Sequence, residues 1–291
     1  MVSAPYRLRL GLRALPADTS WLEPDVDRDS DLALKRRLLR EHRGQVFVET
    51  PTSRPAQHEA LERVRETLDR FHPGLRACGR DPSGAASAAE GRAPMDAPPL
   101  EAAALLVQED LVVMERGASG WCLTAGAVCF PTRWDLPSKL GLAMDRIHER
   151  VPGYRDVLDD PSHRFFERLP VGRVYRRGNW SLMDDARLFQ PDGSLRSEPA
   201  PALDTGSAAH RIWLRIEHQT LQRLPGTGAI LFGIRIHRTR LDDVGRDRAA
   251  AATLVEAIET MPPETQRYKS LGMVRDAALA HLRRAMDAAS D

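Results

Sequence analysis

The sequence is short of cysteine, of net charge and of long apolar runs, and each shortage excludes a class of protein. Its three cysteines, Cys78, Cys122 and Cys129, form no CxxC pair and no four-thiolate spacing, so neither a structural zinc nor an iron–sulfur cluster is expected on this chain. We read them as small core fillers in a reducing compartment. Lysines and arginines number 42 against 41 aspartates and glutamates, a formal net charge of +1 that leaves no basic field for a nucleic acid backbone. No apolar run is long enough to cross a bilayer, and residues 1–16 carry Arg7, Arg9 and Arg13 where a signal peptide needs an apolar stretch. A cytoplasmic location is therefore the expectation. A dinucleotide fingerprint is missing as well: the nearest imitation, Gly226-Thr227-Gly228, runs into the strand-like residues 229–236 instead of a helix. Any redox chemistry must draw its electrons from another chain.

What is present is a hydrophobic fraction of 42%, enough for a substantial core, and clear periodicity. Leu34, Leu38 and Leu39, then Leu61, Val64, Leu68 and Phe71, recur at helical spacing, so residues 1–80 read as a helical region packing on the core. Residues 81–99 are dominated by Ala, Gly, Ser and Pro and read as a flexible linker or loop. Strand-like runs at 111–115 and 121–130 flank the turn Gly117-Ala118-Ser119-Gly120. Residues 138–150 return to helical spacing through Leu140, Met144, Ile147 and Val151, ended by Pro152-Gly153. Further strands are expected at 173–182, 211–221 and 229–237, the last two joined by a hairpin turn at Pro225-Gly226-Thr227-Gly228. The core then spans 100–245, and helices occupy 246–291. An antiparallel sheet with helices packed over it, an α+β arrangement, uses all of these elements.

Strand alternation suggests where chemistry could sit. Trp213, Arg215, Glu217 and Gln219 share one face of their strand, Tyr175, Arg177, Asn179 and Ser181 share another, and Arg235 and His237 lie opposite Ile230, Phe232, Ile234 and Ile236. The three strands together predict either a polar pocket wall or a plain solvated face. Glu217, Tyr175 and Asn179 are the candidate catalytic residues on it. Glu217 could hold a cationic substrate or simply pair with Arg215 or Arg235. His148, bordering the apolar stripe of the expected helix, could ligate iron or could be a helix-end histidine favoured there by the helix dipole.

Several stretches together resemble the haem subunits of haem-dependent oxidative N-demethylases, also described as dimethylamine monooxygenases. They include Trp121-Cys122-Leu123, Val128-Cys129-Phe130-Pro131-Thr132-Arg133-Trp134, Ile147-His148 with Val151-Pro152-Gly153-Tyr154, Arg164-Phe165-Phe166, Asn179-Trp180-Ser181-Leu182, Gln219-Thr220-Leu221, Arg223-Leu224-Pro225 and Tyr268-Lys269. The resemblance implies a PAS-like domain binding haem b, with His148 matching the proximal iron ligand. Arg177, Arg215 and Arg235 become candidates for the two haem propionates, since guanidinium pairs with carboxylate in bidentate fashion. The resemblance further implies oxidation of dimethylamine to methylamine and formaldehyde with dioxygen. Electrons would come from NADPH through a reductase partner carrying flavin and an iron–sulfur centre, and a folate-binding subunit is a further candidate partner. His163, His218 and His237 depart from the pattern, standing where Asp, Arg and Tyr are usual, and leave the preferred amine open. A haem-PAS gas or redox sensor without catalysis is the alternative, and a haem-free binding module a third reading.

Overall fold

In the computed structural model, which describes residues 2, 4–77, 97–191 and 208–288, seven strands form one antiparallel sheet. They are β1 (Arg13–Ala14), β2 (Phe47–Glu49), β3 (Asp110–Gly117), β4 (Gly120–Ala127), β5 (Val174–Met183), β6 (Trp213–Arg223) and β7 (Ile230–Arg240), in the spatial order β1-β5-β6-β7-β3-β4-β2. The two expected hairpins form as β3–β4 and β6–β7, because the Gly-containing turns between them supply backbone that the flanking β-branched runs cannot. The short edge strands β1 and β2 come from the first 80 residues. They are too brief to show a period. No described helix is long and apolar enough to cross a membrane.

Helices cover the sheet where their apolar stripes dictate. Arg28–Glu41 and Arg54–Phe71 bury Leu38, Leu39, Val64 and Leu68 with Leu111, Val113 and Leu231 in one core. Arg248–Glu259, capped by Asp247 on the backbone N–H groups of Ala249 and Ala250, joins Arg275–Ala288 over Trp180, Leu182 and Leu214. A third core sets Met144, Tyr154, Leu158 and Phe166 against Val112, Met114, Leu123 and Leu221. Cys129 is buried and Cys122 half-buried, both as free thiols, while Cys78 and residues 81–96 of the expected linker lie outside the described residues. Pro99, placed at the end of that linker, instead opens the helix Pro99–Ala104.

The expected helix at 138–150 does not form as one element. A 3₁₀ turn at Pro137–Lys139 is followed by Gly141 at φ +76° and then by a single helical turn, Met144–Ile147. The reason is competition for hydrogen bonds. Gly141 N–H donates to Leu123 O (2.8 Å) and Leu123 N–H to Leu142 O (3.1 Å), so β4 captures backbone groups that a helix would pair internally. The apolar stripe is still real: Leu140, Met144, Ile147 and Val151 all pack into the third core. His148 therefore sits just past a one-turn helix.

Register also divides the polar face expected across three strands. Arg177 pairs with Gln219, which pairs with Ile234, and Asn179 with Glu217, which pairs with Ile236. His218 pairs with Arg235, one residue out of phase. Since directly paired residues share a face, Arg177, Asn179, Glu217 and Gln219 line one side, while His218, Arg235 and His237 line the other.

Candidate functional site

A cavity of about 1470 Å³ opens on the face that carries Arg177, Asn179 and Glu217. That exceeds the roughly 300–1,000 Å³ of ordinary ligand pockets. The β strands provide its floor. The segment carrying Met144, His148 and Tyr154 walls one side, and the N-terminal stretch through Leu8 and Leu10 and the chain at Thr265 to Ser270 close it further. Val112, Met114, Leu123 and Phe232 make one part apolar, and Glu217 with its partners makes another polar.

His148 is oriented by two contacts. Its Nδ1 lies 2.8 Å from Met144 O, and its ring stacks on Tyr154 with centroids 4.5 Å apart and planes 11° from parallel. A carbonyl accepts only a proton, so this bond fixes Nδ1 as the N–H and leaves Nε2 as the lone-pair nitrogen. Burial lowers the His148 pKa, which the bond to Met144 O opposes. The neutral imidazole is the form that can ligate a metal. With only one helical turn before it, His148 gains little from a helix dipole.

Glu217, 8% exposed, receives three donors: Thr132 Oγ1 to Oε1 at 2.5 Å, and Gln219 Nε2 at 2.7 Å and Asn179 Nδ2 at 3.3 Å to Oε2. A carboxylate accepts about four hydrogen bonds, so capacity for one more remains. Asn179 in turn accepts from Lys269 Nζ at 2.9 Å, which also donates to Trp180 O at 2.6 Å. Burial pulls the Lys269 pKa down to about 8, with the Glu217 charge pulling it back up. Arg177 lines the same cavity. Burial lowers its pKa too, Glu217 is its strongest compensating charge, and its buried Nε has no hydrogen-bond partner among the described residues.

The remaining candidates lie elsewhere. Arg215, 2% exposed, donates to the carbonyls of Phe130 (2.7 Å), Leu188 (3.1 Å) and Arg187 (3.2 Å) and to Thr132 Oγ1 (3.0 Å). It ties two loops to β6 and steadies Thr132 beneath Glu217. Arg235 is on the opposite face, bonded to Glu23 O and Ile236 O and paired with Asp25. Tyr175 packs edge-on against Phe165 (5.1 Å) beside a separate hollow of about 370 Å³. Sequence reasoning missed Lys269, Thr132 and Tyr154 as site residues. Lys269 follows the short helix Pro263–Tyr268, and apart from the Tyr268-Lys269 resemblance nothing in its local pattern distinguishes it from a surface lysine.

These groups fit a haem. His148 offers a neutral Nε2, the cavity is large and apolar on one side, and the buried Nε of Arg177 has no hydrogen-bond partner among the described residues. The sequence profile of the haem-dependent oxidative N-demethylase, alpha subunit-like family matches residues 11–279. That stretch contains β1 to β7 and every residue named above as lining the cavity, apart from Leu8 and Leu10. The chain therefore belongs to the haem-dependent oxidative N-demethylase, alpha subunit-like family.

Proposed function

We propose that this chain holds haem b in the large cavity through Nε2 of His148 and carries out the N-demethylation of a small secondary alkylamine, with dimethylamine as its substrate. The sheet and its covering helices are read as a PAS-like core. The balanced reaction consumes dimethylamine, dioxygen, two electrons and two protons and yields methylamine, formaldehyde and water. Bound in the cavity, haem would supply the dioxygen activation that no side chain provides. The observation that carries the reading is a His148 whose Nδ1 is engaged by Met144 O, leaving Nε2 as its lone-pair nitrogen, lining a cavity that also holds Glu217 and an Arg177 whose buried Nε has no hydrogen-bond partner among the described residues.

Each remaining role falls to residues of this chain. Arg177 is the propionate partner, because its Nε has no acceptor among the described residues, where Arg215 and Arg235 are already satisfied by protein groups. A secondary amine is mostly protonated at neutral pH, and Glu217 keeps acceptor capacity for its N–H. Asn179 links that carboxylate to Lys269, whose pKa of about 8 lets it exchange a proton near neutrality. Electrons arrive from NADPH through a partner carrying flavin and an iron–sulfur centre, and a folate-binding subunit would receive the formaldehyde.

An absorption spectrum of the purified chain tests the cofactor. A Soret band in the wild type that is lost or greatly weakened in His148→Ala is expected, and full haem occupancy with an unchanged band in the variant would overturn the ligand assignment. Dioxygen uptake with a reductase tests the reaction. Uptake should depend on dimethylamine, and a haem-bound chain that consumes none would point to sensing instead.

A further inference from the structure

On the opposite face of the sheet, three side chains from three different elements converge. Glu23 comes from the stretch before the helix Arg28–Glu41, His218 from β6 and His237 from β7. Glu23 Oε2 lies 2.7 Å from His218 Nδ1 and 2.9 Å from His237 Nε2, and the ligand atoms all lie within 4.8 Å of one another. The strand register explains the pairing of the histidines: His218 is level with Arg235 and His237 with Ile216, so the two sit diagonally across adjacent strands on one face. Their rings are 4.7 Å apart at 60°. The carboxylate is held from behind. Glu23 N–H donates to Glu109 (2.7 Å), Glu23 O accepts from Arg235 Nε (3.0 Å), and Arg176 takes the other carboxylate oxygen at 2.6 Å.

We propose that Glu23, His218 and His237 form a binding site for one divalent transition-metal ion, on the sheet face opposite to Arg177, Asn179 and Glu217, although His218 and Arg176 also border the large cavity. Bond lengths to such ions are roughly 2.0–2.2 Å for imidazole nitrogen and carboxylate oxygen, so neighbouring ligand atoms lie about 3 Å apart. The two Glu23 to histidine distances match that spacing. Two imidazoles and a carboxylate form a donor set suited to zinc or ferrous iron, with positions left open. The side chains are 20%, 25% and 31% exposed for Glu23, His218 and His237, so water can complete the coordination. Arg176 partly neutralises the carboxylate while fixing its orientation, as an outer-shell partner does. The ion would therefore be exchangeable and removable by chelators, and it would tie the chain before the first long helix to the sheet.

Zinc is the probe. Tag-free, full-length haem protein is stripped with a chelator, dialysed against Zn²⁺ and analysed for zinc and iron by elemental analysis, with thermal unfolding recorded in parallel. One zinc per chain and a zinc-dependent rise in Tm are expected for the wild type and equally for His148→Ala. His237→Gln and Glu23→Gln, which keep shape and hydrogen bonding, should weaken zinc binding by at least roughly 100-fold, beyond the 10–100-fold of outer-shell changes. Iron content should not change. Two variants guard against misfolding, since either one that unfolds normally without zinc suffices. Wild-type zinc no higher than in both variants, or zinc lost in His148→Ala and kept in His237→Gln, would overturn the proposal.

Discussion

Glu217 and Lys269 show how one buried network makes opposite demands on two charges. Glu217 accepts from Thr132, Asn179 and Gln219, whereas Lys269 is held as a cation against the cost of burial. If Glu217 binds the ammonium, Glu217→Gln keeps the shape and removes the charge, weakening that bond by roughly 1.5–3 kcal/mol. Amine affinity, followed by titrating the haem spectrum with dimethylamine, should fall by about one to two orders of magnitude at normal haem content. Unchanged affinity would make Glu217 a structural acceptor only. For Lys269 the folded-state pKa of about 8 lies below the ordinary 10.5, so the unfolded chain binds more protons between those values. Stability must then rise with pH across that window, and the burial cost is present in full below about pH 8. It amounts to at most roughly 3 kcal/mol, less because the side chain is partly open to water. Denaturant unfolding of wild type and Lys269→Met measures it: the wild type should gain on the variant as pH rises from 8 towards 10.5, and a flat difference would refute the assignment.

Among the elements, two glycines decide what neighbours can approach. Gly233 lies in β7 where an added Cβ would meet Thr220 Oγ1 at 2.7 Å and Trp21 Cζ3 at 3.0 Å. Both neighbours are buried, Trp21 in the core beneath the N-terminal helices, so neither can easily withdraw. Gly233→Ala should destabilise by about 1–3 kcal/mol, the range for overpacking. Gly141 is the contrasting case, with open space around its missing Cβ but a φ of +76°. Gly141→Ala should cost about 1 kcal/mol of backbone strain. Because Gly141 anchors the stretch leading to His148 against β4, we expect the variant also to release haem faster, read by transfer of haem to an apoprotein acceptor. Equal release rates would show that Met144 and Tyr154 alone orient the imidazole.

Taken whole, the molecule has a large cavity, a metal-competent histidine and a family that is haem-dependent, yet it carries no dinucleotide fingerprint and no cysteine cluster. Its electrons should then come from outside. Under anaerobic conditions NADPH alone should leave the haem ferric, and reduction should follow addition of the reductase. Rapid reduction by NADPH without a partner would sink this reading.

Periodicity and turn chemistry, which act over a few residues, were enough to determine the α+β class, the two hairpins, the long helices and the apolar stripe beside His148. The resemblance through Ile147-His148 and Asn179-Trp180 pointed to the family without any structure. Long-range backbone pairing decided the rest. Residues 138–150 carry a helical pattern, but β4 offered competing hydrogen-bond partners from residues 15 or more positions away in sequence, which no local pattern contains. Alternation within a strand says which residues share a face but not how neighbouring strands are phased. Only the register could divide Arg177 and Glu217 from Arg235 and His237, and a shift of one residue exchanges the faces completely. Lys269 reached Asn179 for the same reason, since a contact spanning 90 residues exists only once the chain has folded back over β5.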